Sequence, residues 1–363
     1  MIKPFRIDVP QADLDDLADR LARTRWPDEL PDAGHDYGIP LARVRDLAEY
    51  WRTGYDWRRH EAELNELPQF TTEIDGQNIH FVHVRSARPD ALALILVHGW
   101  PGSYLEFLDV IEPLSQDFHL VIPSIPGFGF SGPTRERGWD VRRVARAFAE
   151  LMDRLGYDRY GAQGGDWGSA IAQALGADAP DRVVGVHVNY LPTPPPGPGA
   201  EDALSGDDRA RLAKIKQLVA QRPGYQVLQA TRPQTISYAL TDSPVAQLAW
   251  IVERFDEWTD PGSDIALDRV LTNVALYWLT GTAGSSARLT RESGIGGRLD
   301  CTVPFGVAVF AHDITRSIRP FAEQSRDIRH WSEFGDGGHF AAMEVPELFA
   351  ADVREFFKGL GLG

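Results

Sequence analysis

Apolar residues recur at helical spacing through the first seventy positions. After Pro10, Leu14, Leu17, Ala18 and Leu21 fall three or four apart, on one face of a predicted helix. Asp13, Asp15 and Asp16 stand in its first turn, where the helix dipole favours acids. Trp26-Pro27 predicts the stop, because a residue before proline avoids the helical region. Leu41, Val44, Leu47, Ala48 and Trp51 repeat the pattern and predict a second amphipathic helix. The stretch 1–70 therefore reads as a helical extension that packs on a larger domain.

The period then changes. Short β-branched runs at 77–86 (QNIHFVHVRS), 93–99 (ALILVHG), 119–125 (HLVIPSI) and 182–190 (RVVGVHVNY) are bounded by turn residues and predict strands. A helix from about Val141 to Leu155 and a strand near Tyr160 alternate with them. Such alternation implies a mostly parallel sheet with helices on both faces, begun over 71–190. The segment LPTPPPGPGAED (191–202) holds five prolines and two glycines and cannot continue helix or sheet, so it reads as a hinge. Helical, aromatic-rich sequence follows to about Arg298, which makes 191–298 a cap inserted into the sheet domain. Strand character returns in TVPFGVAVF (302–310), and a helix from Pro346 to Lys358 closes the second part of the core, 299–363. The fold class is α/β.

Bulk properties narrow the function. A chain of 363 residues, 43% hydrophobic, can bury one large core plus an inserted piece. A formal charge of -15 argues against a nucleic-acid partner, since phosphates would be repelled. The single cysteine, Cys301, permits no intramolecular disulfide and fits a reducing cytoplasm. MIKPFRIDVPQADLDDLADR has no apolar run, so neither a signal peptide nor a membrane anchor is expected.

Four distant segments form a candidate catalytic constellation. Gly164-Gly165-Asp166-Trp167-Gly168 has the small-x-nucleophile-x-small form of a nucleophile elbow, with Asp where ester hydrolases carry Ser. Small residues flank it because a sharp strand-to-helix turn brings backbones close. His98-Gly99-Trp100-Pro101-Gly102-Ser103 follows an apolar strand, where an oxyanion-hole loop belongs; the N–H groups of Trp100 and Trp167 are the two expected donors. Asp313 ends the strand TVPFGVAVF, and His339 lies in Asp336-Gly337-Gly338-His339-Phe340 before the last helix. The order nucleophile, acid, base is that of the α/β-hydrolase fold, with His339 as base and Asp313 orienting its ring.

Other signals carry less. Gly127 to Gly132 spells G-x-G-x-x-G, but Pro133-Thr134 follow where a dinucleotide site needs a helix. His80 and His83 lie three apart in a strand and face opposite sides, so they cannot share a metal ion. His98 reads as support for its loop. The cap aromatics Trp250, Phe255, Trp258, Tyr277 and Trp278 are expected to divide between pocket wall and cap interior.

HGWPGS, PGFGFSG, GGDWGS and GGHFAAMEVPE together resemble the microsomal-type and juvenile-hormone-type epoxide hydrolases. The likeness extends to RLARTRWPD, RPGYQVLQATRPQT, SPVAQLAWIVERFDEWTD and LTNVALYWLT, nearly the whole chain. It implies an α/β-hydrolase core, a helical cap, an N-terminal segment folded around both, and no cofactor or metal. The implied substrate is an apolar or aromatic epoxide, and a homodimer is left open. Many relatives have a membrane anchor; none is seen here, so a soluble protein is expected. The family uses two cap tyrosines to protonate the opened ring. Tyr225 matches the first, while Thr290 stands where the second is expected. Either Tyr225 works alone, or Tyr277 or Tyr238 substitutes, or the substrate is unusual. Two further readings stay open: a haloalkane dehalogenase using the same Asp nucleophile, and a non-catalytic binding protein on this scaffold.

Overall fold

The computed structural model describes residues 1–221, 223–294 and 299–361. The expected end of the cap, Arg298, lies outside the described residues.

The strands are β1 (Lys3–Pro4), β2 (Gln69–Ile74), β3 (Gln77–Val84), β4 (Leu92–Val97), β5 (Phe118–Pro123), β6 (Tyr160–Gly164), β7 (Val183–Val188), β8 (Phe305–Phe310) and β9 (Ile328–Phe334). They form one sheet in the order β1-β2-β3-β5-β4-β6-β7-β8-β9. From β5 to β9 every pairing is parallel, and β1, β2 and β3 add an antiparallel edge. Helices bury both faces of the central strands, so β5, β7 and β8 are buried at every residue and read as continuous apolar runs. Each Leu, Ile or Val removed from water there contributes roughly 1.5–3 kcal/mol.

The N-terminal extension differs from its sequence pattern in three ways. Its first helix, Gln11–Ala22, ends four residues before Trp26. The Thr24 hydroxyl donates to the Leu21 carbonyl at 2.9 Å and satisfies an end that proline was expected to force. Only Leu17 and Leu21 of its apolar set are buried, and Ala18 is exposed. A third helix, Trp57–Leu64, follows the expected Leu41–Thr53 helix and is capped by the Asp56 side chain. Strand β2 spans the expected boundary between extension and core at residue 70. Asp75 and Gly76, both at positive φ (50° and 69°), make the tight turn that pairs Ile74 with Gln77.

The extension is tied down through side chains. Asn65 exchanges two hydrogen bonds with the Ile7 backbone at 2.8 and 2.9 Å, and Glu61 accepts the Val9 N–H at 2.8 Å. Toward the cap, Arg43 meets Asp256 at 3.1 Å and the Tyr50 hydroxyl donates to Asp268 at 2.7 Å. The cap runs between β7 and β8 and consists of helices at Gly206–Gln221, Gly224–Thr231, Pro233–Asp242, Pro244–Trp258, Leu267–Leu279 and Ala283–Ser293.

A buried polar triad locks the last helix, Pro346–Gly359, to the sheet. His187 on β7 and His330 on β9 donate their Nε2–H groups to the two Asp352 oxygens at 2.8 and 2.7 Å. Burial opposes the Asp352 charge, but these two bonds hold its carboxyl well below the usual range. The same bond raises His330 above an ordinary histidine. The Asp352 contribution is therefore complete above about pH 4 and lost as pH falls through its depressed folded value; that of His330 is complete below about pH 6.5 and lost as pH rises through its raised value. Asp352→Ala should cost about 3–5 kcal/mol. It should also flatten the pH dependence of the urea midpoint on both flanks. A variant that keeps the wild-type pH profile would remove the triad from that role.

Candidate active site

The elbow forms where β6 meets the helix Asp166–Asp178. Asp166 has φ of 48°, a strained value for a residue with a β-carbon that costs about 1–3 kcal/mol. The neighbouring glycines make the turn possible. A β-carbon at Gly168 would run into the Val97 carbonyl, and one at Gly164 would run into the Gly168 carbonyl. Gly99 is needed for the same reason, since a β-carbon there would overlap the Asp166 side chain.

The loop after β4 reaches Asp166. Trp100 donates its backbone N–H to Asp166 Oδ1 at 2.7 Å. Trp167 sits in the first turn of the helix, where amides have no intrahelical acceptor. The cap holds this loop: Asn273 Nδ2 donates to the Pro101 carbonyl at 2.8 Å, and the Tyr277 hydroxyl to that of Gly102 at 2.6 Å. Tyr277 is thus committed to the loop and is not a spare acid. Tyr238 is 71% exposed and stands outside the site. Thr290 is buried and donates to Gln229 Oε1 at 3.1 Å. Tyr225 meets the same loop through its ring. Its ring stacks on Trp100 at 5.3 Å and 11°, with Trp258 at 5.4 Å and the Arg254 guanidinium 4.9 Å from its centroid. Burial, then the Asp166 charge, pushes its phenol pKa up, so it keeps its proton.

His339 follows β9 and meets both Asp313 and Asp166. Its Nδ1 is 2.7 Å from Asp313 Oδ1 and its Nε2 is 3.7 Å from Asp166 Oδ2. Asp313 also accepts the Ile314 N–H at 2.7 Å, which fixes the carboxylate. Burial would lower the imidazole pKa, but Asp313 and Asp166 outweigh it and carry the ring up to about 10. The ring is walled by Trp258 at 5.0 Å and Tyr190 at 5.4 Å, both edge-on.

Sequence reasoning missed the groups that hold the base loop. Trp258 accepts the His339 N–H at 2.9 Å. Asp260 accepts the Gly337 N–H at 2.8 Å, and Glu344 accepts from Asp260 and Phe340 at 2.7 and 2.8 Å. These bonds fasten the cap's Trp258–Asp260 segment to the His339 loop. Tyr190, just past β7, was read only as the end of a strand. The acids near MEVPE were the one available signal for Glu344.

The remaining signals fall into structural roles. His98 donates Nδ1–H to the Gly99 carbonyl at 3.0 Å and accepts the Ile125 N–H at 3.1 Å. His80 and His83 face separate partners, Ser124 and Gln69 for the first and Tyr157 for the second. The Gly127–Gly132 loop contains one 3-10 turn, Gly129–Ser131, and is held by Ser285 and Thr282 of the cap. Phe255 and Tyr277 are buried, Phe255 against Phe340, while Trp278 faces Arg20 of the extension. A groove of about 910 Å³ between extension and cap, lined by Trp26, Leu30, Tyr37, Val245 and Ala249, contains no residue of the triad. Among the described residues no group of three His, Cys, Asp or Glu is arranged for a metal, and no helix is long and apolar enough to cross a membrane.

A family described as "Epoxide hydrolase N terminus" matches residues 2–107, and one described as "alpha/beta hydrolase fold" matches 93–204. A putative epoxide hydrolase of Stigmatella aurantiaca is 46% identical over 99% of this chain and 85% of its own length. The chain belongs to the epoxide hydrolase family. Epoxide hydrolase 1 of Sus scrofa is 34% identical over 98% of this chain and 88% of its own. Among solved structures, that of Aspergillus niger epoxide hydrolase superposes with a TM-score of 0.91 at 32% identity, covering 99% of this chain and 97% of that one. Juvenile hormone epoxide hydrolase from Bombyx mori gives the same TM-score at 30% identity, with 99% and 95% covered. The epoxide hydrolases thus share the α/β-hydrolase fold seen here.

Proposed function

We propose that this chain converts an epoxide and water to a vicinal diol through an ester on Asp166. The observation that carries the reading is the Asp166 carboxylate, held at the elbow with one oxygen on the Trp100 N–H and the other 3.7 Å from His339 Nε2. An epoxide is attacked at an sp³ carbon. A serine would leave an ether, which water does not readily cleave, whereas a carboxylate leaves an ester with an acyl carbon open to attack.

In the first step an Asp166 oxygen bonds to a ring carbon and the carbon–oxygen bond of the ring breaks. Tyr225 donates to the departing alkoxide; its raised pKa keeps that proton available until the ring opens. Forming the ester removes the Asp166 charge, one of the two that hold His339 protonated. The ring's pKa therefore falls as the ester forms; its proton passes to the Tyr225 phenolate, and His339 becomes a base when one is needed. It then takes a proton from water, whose oxygen attacks the Asp166 acyl carbon. The amides of Trp100 and Trp167 stabilise the oxyanion, and the diol leaves with the proton returned by His339. The aromatic walls Trp100, Tyr190, Tyr225 and Trp258 favour an apolar or aromatic substrate, with the helices between β7 and β8 as the roof.

Supplying styrene oxide and a 1-haloalkane in parallel tests the reading. Diol from the first and no halide from the second is expected; halide release would favour the dehalogenase. Tyr225→Phe should slow single-turnover alkylation by about 10²–10³-fold, the usual loss for one donor at a developing oxyanion. An unchanged rate would move the donor elsewhere.

A further inference from the structure

We infer that Glu106 is a second carboxyl of the active site and positions the water that hydrolyses the Asp166 ester. The inference rests on the covalent reading above.

Glu106 lies in the 3-10 turn Tyr104–Phe107, which follows the oxyanion loop directly. Its side chain folds back over that loop. The carboxylate fills the space that a β-carbon at Gly102 would occupy, and the Gly99 amide stabilises its ionised form. Gly99 is the residue at which a β-carbon would overlap the Asp166 side chain. One loop residue thus separates the two carboxyls. The charges that act on Glu106 are His339 and Asp166, the base and the nucleophile.

Two further observations fit a working group. The flanking Tyr104, Leu105 and Phe107 are buried, yet Glu106 remains part-accessible deep in the fold, as a residue facing an internal space would be. Burial, with Asp166 adding to it, raises the Glu106 carboxyl to about 8, so at neutral pH it is a neutral acid beside the nucleophile. A carboxyl held neutral in an apolar site is costly to keep unless it works, and paired carboxyls in different protonation states mark acid–base sites.

The chemistry needs such a group. A water that attacks the acyl carbon must give one proton to His339 and aim a lone pair at the carbon. Its second O–H needs an acceptor, or the molecule turns freely. The Glu106 carbonyl oxygen accepts that hydrogen bond, and its own proton stays in place. The bonds made and broken remain those of ester hydrolysis: water oxygen to the acyl carbon, water proton to His339 Nε2, and acyl carbon from the alkyl oxygen.

The test separates the two steps by rapid mixing and intact-protein mass. Glu106→Leu should alkylate at the wild-type rate and lose its ester about 10²-fold more slowly, the cost of a misplaced reactant. Glu106→Gln keeps a carbonyl acceptor and should be slowed less. Glu106→Asp, which preserves the acid but draws it back by one methylene, covers the case in which Leu does not fold; it too should slow ester decay alone. Ester decay at the wild-type rate in Leu or Asp overturns the inference. So does a parallel fall in both steps, which would mean that Glu106 only props the loop, or a Gln variant slower than Leu. A wild type that makes diol with no adduct at any time would instead overturn the covalent reading itself.

Discussion

A His339→Gln variant given excess epoxide should gain one substrate mass and keep it. Alkylation requires only the Asp166 carboxylate, already oriented by the Trp100 N–H, and a donor for the alkoxide such as Tyr225. Neither is lost with His339. Hydrolysis requires a base 3.7 Å from the nucleophile, and the structure offers that imidazole, aligned by Asp313. Losing general-base catalysis costs about 10²–10⁴-fold, so the ester should accumulate. Peptide mapping should place the added mass on the segment that contains Asp166. A haloalkane substrate would add substrate mass minus hydrogen halide, so the same spectrum reports the substrate class. Diol release without an adduct in this variant would mean that water attacks the epoxide directly.

Asp166→Ala should abolish turnover, because the ester cannot form without its carboxylate. The remaining machinery, Trp100, Tyr225 and His339, would still bind and polarise an epoxide but could not open it by this route. In wild type, one turnover in ¹⁸O-labelled water should leave the label on Asp166 and not in the first diol, since water adds to the acyl carbon. Asp166→Asn should start inactive and regain rate only as its amide is hydrolysed in place. Immediate activity in the Ala variant would dismiss Asp166 as nucleophile, whatever the family.

The Asp166 elbow, the His98–Ser103 loop, Asp313 and His339 were legible before any fold, because each depends on short-range rules. A turn that lacks room for a β-carbon must carry glycines at fixed offsets, and Gly99, Gly164 and Gly168 stand where contacts leave no such room. The central strands were legible too, since burial on both faces writes them as apolar runs. The edge strands were not. β9 is only partly buried along IRHWSEF, so it lacks both an apolar run and strict alternation. β2 left a local mark in Asp75-Gly76, but QFTTEI straddles the boundary read at residue 70 and is recognised as a strand only by its pairing with β3.

The same division holds for the chemistry. Which hydroxyl can serve the substrate is set by what each one meets across the fold. Tyr277 and Tyr238 are equal candidates in sequence, yet one spends its proton on the Gly102 carbonyl, 175 positions away, and the other points to solvent. Glu106 carries no motif at all; its raised pKa comes from burial, with the Asp166 charge adding to it and His339 opposing it. The link between cap and base loop through Asp260 and Glu344 joins residues 77 and 84 positions apart. Residue identity and local spacing picked out Asp166, Asp313 and His339 as the proposed nucleophile, acid and base. Their 2.7 and 3.7 Å contacts, and the choice of Tyr225 over its rivals, arise only when distant segments pack, because hydrogen-bond partners and desolvation are properties of the packed interior.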